Sequence, residues 1–132
     1  MTPSDHHPIF VVDDDEDDQF LLQQVLNQHT PDSAVQVLQD GEELLAALAQ
    51  DKPLPSLILL DLNMPRMGGL EALRHIRTDH SYDRLAIVIL TTSDSDCDRQ
   101  QASALRATDY LVKPGTVEQM DHLISTVKRQ WL

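Results

Sequence analysis

The stretch FVVDDDEDDQF, residues 10–20, decides how the rest of the chain is read. Three apolar residues run into six consecutive acids, Asp13 to Asp18, and the chain turns apolar again at Phe20, Leu21 and Leu22. Adjacent like charges repel, and such runs belong most often to solvated tails. The close apolar flanks, beginning at Ile9 on one side and Phe20 on the other, argue for an embedded segment instead. An EF-hand loop is excluded. Counted from Asp13, its sixth place should hold Gly and its twelfth Glu, but Asp18 and Gln24 stand there. The remaining reading is a buried strand that delivers carboxylates to a metal site. A helix follows, capped by Asp17 or Asp18.

The composition narrows the function. The chain has 132 residues, the size of one domain, and 41% hydrophobic residues, enough for a core. With 10 Lys and Arg against 22 Asp and Glu, the net charge is -12. That argues against nucleic acid, whose binders present a basic patch, and against anionic membranes. It suits a bound divalent cation. The single cysteine, Cys97, cannot form an internal disulfide and fits a reducing, cytoplasmic setting. No apolar run is long enough to span a membrane, and MTPSDHHP lacks the features of a signal peptide. Residues 1–8 read as a polar tail with solvated His6 and His7, and residues 9–132 as one compact domain.

Along that domain, short apolar runs alternate with helical patterns. Strands are expected at Ile9 to Val12, Val35 to Leu38, Leu57 to Leu60, Ala86 to Leu90 and Tyr110 to Val112. Helices are expected from Asp17, over Glu42 to Ala49, after Gly68-Gly69, weakly over residues 97–106, and over residues 117–131. Five β-α units in a row imply an α/β fold, a parallel sheet with helices on both faces. Ligands of such sheets bind outside the carboxyl ends of the strands. Those ends carry Asp13 and Asp14, then Asp61, then Thr91, then Lys113. Three carboxylates, a hydroxyl and an ammonium therefore converge. Mg2+ and Lys113 would offset the repulsion, and a carboxylate held beside them is a plausible nucleophile toward a phosphoryl group.

The motifs VVDD (11–14), LLDLNMPRMGG (59–69), LTTS (90–93) and DYLVKP (109–114) resemble, in order and spacing, the receiver domain of two-component response regulators. The resemblance covers Ile9 to Trp131. It implies a doubly wound, flavodoxin-like (βα)5 fold with strand order 2-1-3-4-5. It implies that Asp61 accepts a phosphoryl group from the phosphohistidine of a histidine kinase, and that the protein catalyses only its own phosphorylation and dephosphorylation. Mg2+ would be held by Asp14, Asp61 and the main-chain carbonyl of Asn63, and by Asp13 through water. Thr91 and Lys113 would contact the phosphoryl group, and Thr91 with Tyr110 would form the switch pair. Asn63 and Thr92 would flank the path of hydrolytic water, and the bond before Pro114 would be cis. LTTS followed by an acidic stretch is similar to single-domain regulators of bacterial phytochrome kinases. Such regulators pair through the fourth helix, fifth strand and fifth helix, an interface that Trp131 could extend. With no output domain after residue 132, the signal is expected to leave by protein contact or phosphorelay.

Two positions depart from the family pattern. Arg106 stands where Gly is common, and Gly115 where Phe is common. Two rival functions are weighed. A haloacid-dehalogenase-like small phosphatase would need a second acid two residues after its nucleophile, where Asn63 follows Asp61, and a longer chain for its cap. A degenerate receiver that binds partners without phosphate would have lost some of the five key positions, all of which are filled here.

Overall fold

The structure, a computed structural model, describes residues 7–50 and 52–132. Most of the expected tail, including His6, lies outside the described residues. His7 is exposed, with its Nδ1 2.7 Å from the Leu54 carbonyl oxygen. Five strands, β1 (Ile9–Val12), β2 (Val35–Leu38), β3 (Leu57–Leu60), β4 (Ile87–Thr91) and β5 (Asp109–Val112), form one sheet in the order β2-β1-β3-β4-β5, every pair parallel. Five helices alternate with them: α1 (Glu16–His29), α2 (Gly41–Leu48), α3 (Gly69–Thr78), α4 (Asp96–Ala104) and α5 (Val117–Trp131). A short 3-10 turn, His80–Tyr82, follows α3.

Side chains alternate across the sheet because successive residues of a strand point to opposite faces. Phe10, Val12, Ile58, Leu60, Ile87 and Ile89 face one layer, where Leu44 and Leu48 of α2 and Ala72, Leu73 and Ile76 of α3 cover them. Ile9, Val11, Leu57, Leu59, Val88 and Leu90 face the other, under α1 and α5. This is why β1 and β3 are apolar at every position and β4 at all but its last, Thr91, while the edge strands β2 and β5 admit Gln36 and Asp109. Trp131 packs against the α1/α5 layer, with its indole Nε1 buried and without a hydrogen-bond partner among the described residues.

Strand β1 leads outward to β2, and the chain then crosses back to β3. The crevice where the order reverses lies between the carboxyl ends of β1 and β3. The helix that leaves β1 starts earlier than expected. Asp15, not Asp17 or Asp18, is its cap, accepting from the Asp18 backbone N–H at 3.1 Å. Only Asp13 and Asp14 are needed to turn from strand to cap, so Glu16, Asp17 and Asp18 all fall in the first helical turn, where the positive helix end favours acids.

Both departures from the family pattern are accommodated. Arg106 adopts a left-handed φ of 65° at the end of α4. Its N–H donates to the Ser103 carbonyl at 2.9 Å and that of Ala107 to Ala102 at 3.0 Å, a Schellman closure that glycine usually makes. A Cβ at Gly115 would meet nothing within 4 Å, so that place is open. The expected cis bond at Lys113–Pro114 is corrected: no peptide bond among the described residues is cis. Trans is the intrinsic preference of an X–Pro bond by about 0.5–1 kcal/mol. Lys113 reaches its carboxylate partners with the bond in that state, and nothing crowds the following glycine.

Candidate functional site

Hydrogen bonds of the sheet continue one residue past the strands and set the site residues in register. The Asp13 N–H donates to the Leu38 carbonyl at 3.0 Å, Asp61 to Val12 at 3.0 Å and Lys113 to Thr91 at 2.8 Å. Asp13, Asp14 and Asp61 each offer a carboxylate oxygen, all within 4.8 Å of one another. Asp13 is 2% exposed, Asp61 8% and Thr91 0%, while Asp14 faces solvent. Lys113 Nζ reaches across from β5 and donates to Asp13 Oδ2 at 2.7 Å and Asp61 Oδ2 at 3.2 Å. Four of the five strand-end residues expected from the sequence, Asp13, Asp14, Asp61 and Lys113, therefore gather in one place, and Thr91 ends the strand between β3 and β5 with its carbonyl held by the Lys113 N–H.

The electrostatics follow from burial. Burial pushes the Asp13 carboxyl above its ordinary range, and hydrogen bonds from Lys113 and the Asp15 N–H oppose the shift only in part. Burial also works against the Lys113 ammonium, but Asp13, Asp18 and the charge of Asp61 outweigh it and raise its pKa. Three carboxylates with one ammonium leave excess negative charge in a half-dry crevice. An all-oxygen donor set of that kind fits a hard divalent cation. Both oxygens of Asp13 already have protein donors, Oδ1 the Asp15 N–H at 2.9 Å and Oδ2 Lys113. Asp14, whose carboxylate joins this cluster, and the loop residue Asn63 are both exposed.

The loop after Asp61 is packed against the strand end. A Cβ on Gly69 would fall 2.2 Å from the Asp61 carbonyl oxygen, so only glycine lets α3 begin there. The Gly69 N–H donates to the Leu62 carbonyl at 2.9 Å, and the Leu62 N–H to Asp61 Oδ1 at 2.7 Å. Thr91 and Tyr110 lie on neighbouring strands and are joined through one residue. The Ser93 N–H donates to Thr91 Oγ1 at 3.4 Å, and the Tyr110 hydroxyl donates to the Ser93 carbonyl at 2.9 Å. The Arg99 guanidinium sits 4.7 Å above the Tyr110 ring.

Several contributors escaped the sequence reading. Asp18 accepts from Lys113 Nζ at 2.7 Å in addition to its place in the first turn of α1. Gln19 is buried, and its Nε2 donates to the Asp13 carbonyl and, at 3.2 Å, to Gln39 Oε1. Its signal was position: three residues before Leu22, it lies on the buried stripe of α1. Asp40, 0% exposed, caps α2 with one oxygen and pairs with Arg66 through the other. Arg66 has a left-handed φ of 61°, and no local pattern marked it.

Comparison with known proteins agrees with this geometry. A family described as "Response regulator receiver domain" matches residues 9–125. "Response regulator Rcp1" of Synechocystis sp. is 33% identical, the match covering 94% of this chain and 88% of that protein. The phosphorylated cyanobacterial phytochrome response regulator RcpA superposes with a TM-score of 0.89 at 32% identity, covering 96% of this chain and 94% of its own. The Mn(2+)-bound form of Rcp1 superposes with a TM-score of 0.87 at 33% identity over 96% and 94% of the two chains. A regulator in red light signaling of R. palustris gives 0.83 at 28% identity over 95% and 94%. With a family match across most of the sequence and the fold and strand-end residues that go with it, the chain belongs to the response regulator receiver domain family.

Proposed function

We propose that Asp61 is the phosphoacceptor of a phosphorylation switch fed by a histidine kinase. The observation that carries this reading is the Lys113 ammonium lying between Asp13 and Asp61 where three carboxylates meet. An Asp61 carboxylate oxygen attacks phosphorus, and the bond from phosphorus to the donor nitrogen of the kinase phosphohistidine breaks. The electron pair leaves with the imidazole, and the phosphoryl group stays as an acyl phosphate. Lys113 compensates charge on the transferred oxygens, and the Thr91 hydroxyl turns to donate to one of them. That movement frees the Ser93 N–H and loosens its link to Tyr110, which carries the change to the β5 edge. The chain acts as an enzyme only on itself, in gaining and losing this group.

Mg2+ is the cation proposed, held by Asp14, Asp61 and the Asn63 carbonyl, with Asp13 acting through water. When bound it would supply positive charge to the developing phosphoryl transition state. The engagement of both Asp13 oxygens by protein donors supports its indirect role. The Mn(2+)-bound state of Rcp1 supports a divalent cation. The light-signalling relatives support a phytochrome-type kinase as the partner. Output would pass through a second copy docking on α4, β5 and α5, in keeping with the place of β5 as a half-buried edge strand of the sheet.

Intact mass after incubation with acetyl phosphate and Mg2+ tests the reading. One added phosphoryl group is expected on the wild type and none on Asp61→Asn, with a shift in size-exclusion elution on phosphorylation. Stoichiometric labelling of Asp61→Asn would overturn the assignment. Unlabelled wild type that still binds Mg2+ would favour a phosphate-independent binding module.

A further inference from the structure

We propose that Asp18 is a positioning residue for phosphoryl transfer, which holds the Lys113 ammonium in the unmodified protein and yields it to the incoming phosphoryl group. This rests on Asp61 being the phosphoacceptor. Lys113 Nζ has three N–H donors, and three carboxylates take them: Asp13 and Asp18 at 2.7 Å, Asp61 at 3.2 Å. The ammonium is therefore saturated, and it sits closer to Asp18 than to the residue it is meant to serve. A phosphoryl oxygen can bind it only by displacing one partner.

The three partners differ in how readily they can leave. Asp13 is buried, and its other oxygen is held by the Asp15 N–H. Asp61 carries the phosphoryl group itself. Asp18 stands in the first turn of α1 with its side chain about a third exposed, at 32%. Released, its carboxylate meets water and the positive end of the helix, so it is the least costly to displace. While it stays, it competes for the ammonium and adds a negative charge that opposes an incoming anion. Asp17, its neighbour, is exposed and has no such contact among the described residues.

Beryllofluoride, a phosphoryl mimic, is the probe, titrated by 19F NMR in the presence of Mg2+. Asp18→Asn is expected to bind it about 3- to 10-fold more tightly than wild type, since one competing charge is lost. Asp17→Asn removes the same charge without touching Lys113 and should change affinity less than about twofold. Asp18→Glu, which keeps the carboxylate, should return affinity toward the wild-type value. In metal-free protein, the Lys113 ammonium protons should exchange with water faster in Asp18→Asn than in wild type. Equal affinities for Asp18→Asn and Asp17→Asn, or unchanged ammonium exchange, would overturn the inference while leaving Asp61 in place. Wild type that binds no beryllofluoride and takes no phosphoryl group would overturn the reading of Asp61, and this inference with it.

Discussion

Two cations are buried at opposite edges of the sheet, and their surroundings differ in kind. Lys113, at the carboxyl edge, is surrounded by anions: Asp13, Asp18 and Asp61. Arg77, at the amino edge, is surrounded by neutral backbone. Its Nε donates to the Arg106 carbonyl at 3.1 Å, and its two terminal nitrogens donate to Tyr82 at 2.8 Å and Leu85 at 2.9 Å. Burial, with the nearby Arg106 charge, lowers the Arg77 pKa, whereas the carboxylates raise that of Lys113. Carbonyls of main chain cannot rearrange without unfolding the turns that hold them, so Arg77 is a fixed rivet. Carboxylates on rotatable side chains can release an ammonium and turn to another cation or to water. One kind of environment builds the fold and the other leaves something to switch.

Substituting the two cations should break the comparison open. Arg77→Met is expected to cost about 3–5 kcal/mol, because three carbonyls lose their donor in a buried place. Urea unfolding would measure it, and Mg2+ should recover none of the loss. Lys113→Met should cost about 2–3 kcal/mol in chelator, since Asp13 and Asp61 are left uncompensated. Most of that should return with millimolar Mg2+, which can replace the ammonium charge but not the phosphoryl contact proposed for it. Phosphoryl uptake from acetyl phosphate should still fall about 100-fold or more. Recovery in Arg77→Met, or none in Lys113→Met, would erase the distinction.

Smaller effects sharpen it. Gly69→Ala should cost about 1–3 kcal/mol by overpacking and lower phosphoryl uptake, although every reacting group is intact. The pH dependence of Asp13→Asn isolates the carboxylate side. Asp13 has a raised folded pKa, so its contribution to metal-free stability is fully present below about 3.8 and is lost as pH rises through the folded value. Metal-free Asp13→Asn should therefore be more stable than wild type at neutral pH, with the gap closing as pH falls toward 3.8. Denaturant midpoints at several pH values in chelator would check the sign. The smallest change is expected from Arg106→Gly. It relieves a left-handed backbone worth about 1 kcal/mol but loses the guanidinium's bond to the Arg77 carbonyl at 2.7 Å. The two should nearly cancel, while Arg106→Ala keeps the strain and should lose about 1 kcal/mol in thermal or urea unfolding.

The periodic and local features were open to sequence reasoning. Leu57 to Leu60, a short continuous apolar run, reads as a strand buried on both faces, and that reading puts Asp61 directly after it at the carboxyl edge. The same logic places Asp13, Asp14, Thr91 and Lys113 at that edge. Helix starts were harder. Six acids in a row offer several equally good caps, and the length of the β1–α1 turn, which a one-dimensional pattern does not show, selects Asp15. Family resemblance misled at Pro114, where the bond is trans.

Spacing in the chain thus determined which residues reach the site, because a parallel α/β sheet brings the ends of its strands to one edge whatever lies between them. Folding in three dimensions decided which of those residues touch. Asp18 meets Lys113 from 95 residues away, and Arg77 meets Arg106 from 29 away. Such pairs depend on side-chain reach and on where helices settle against the sheet. Local hydrophobic period carries no record of either.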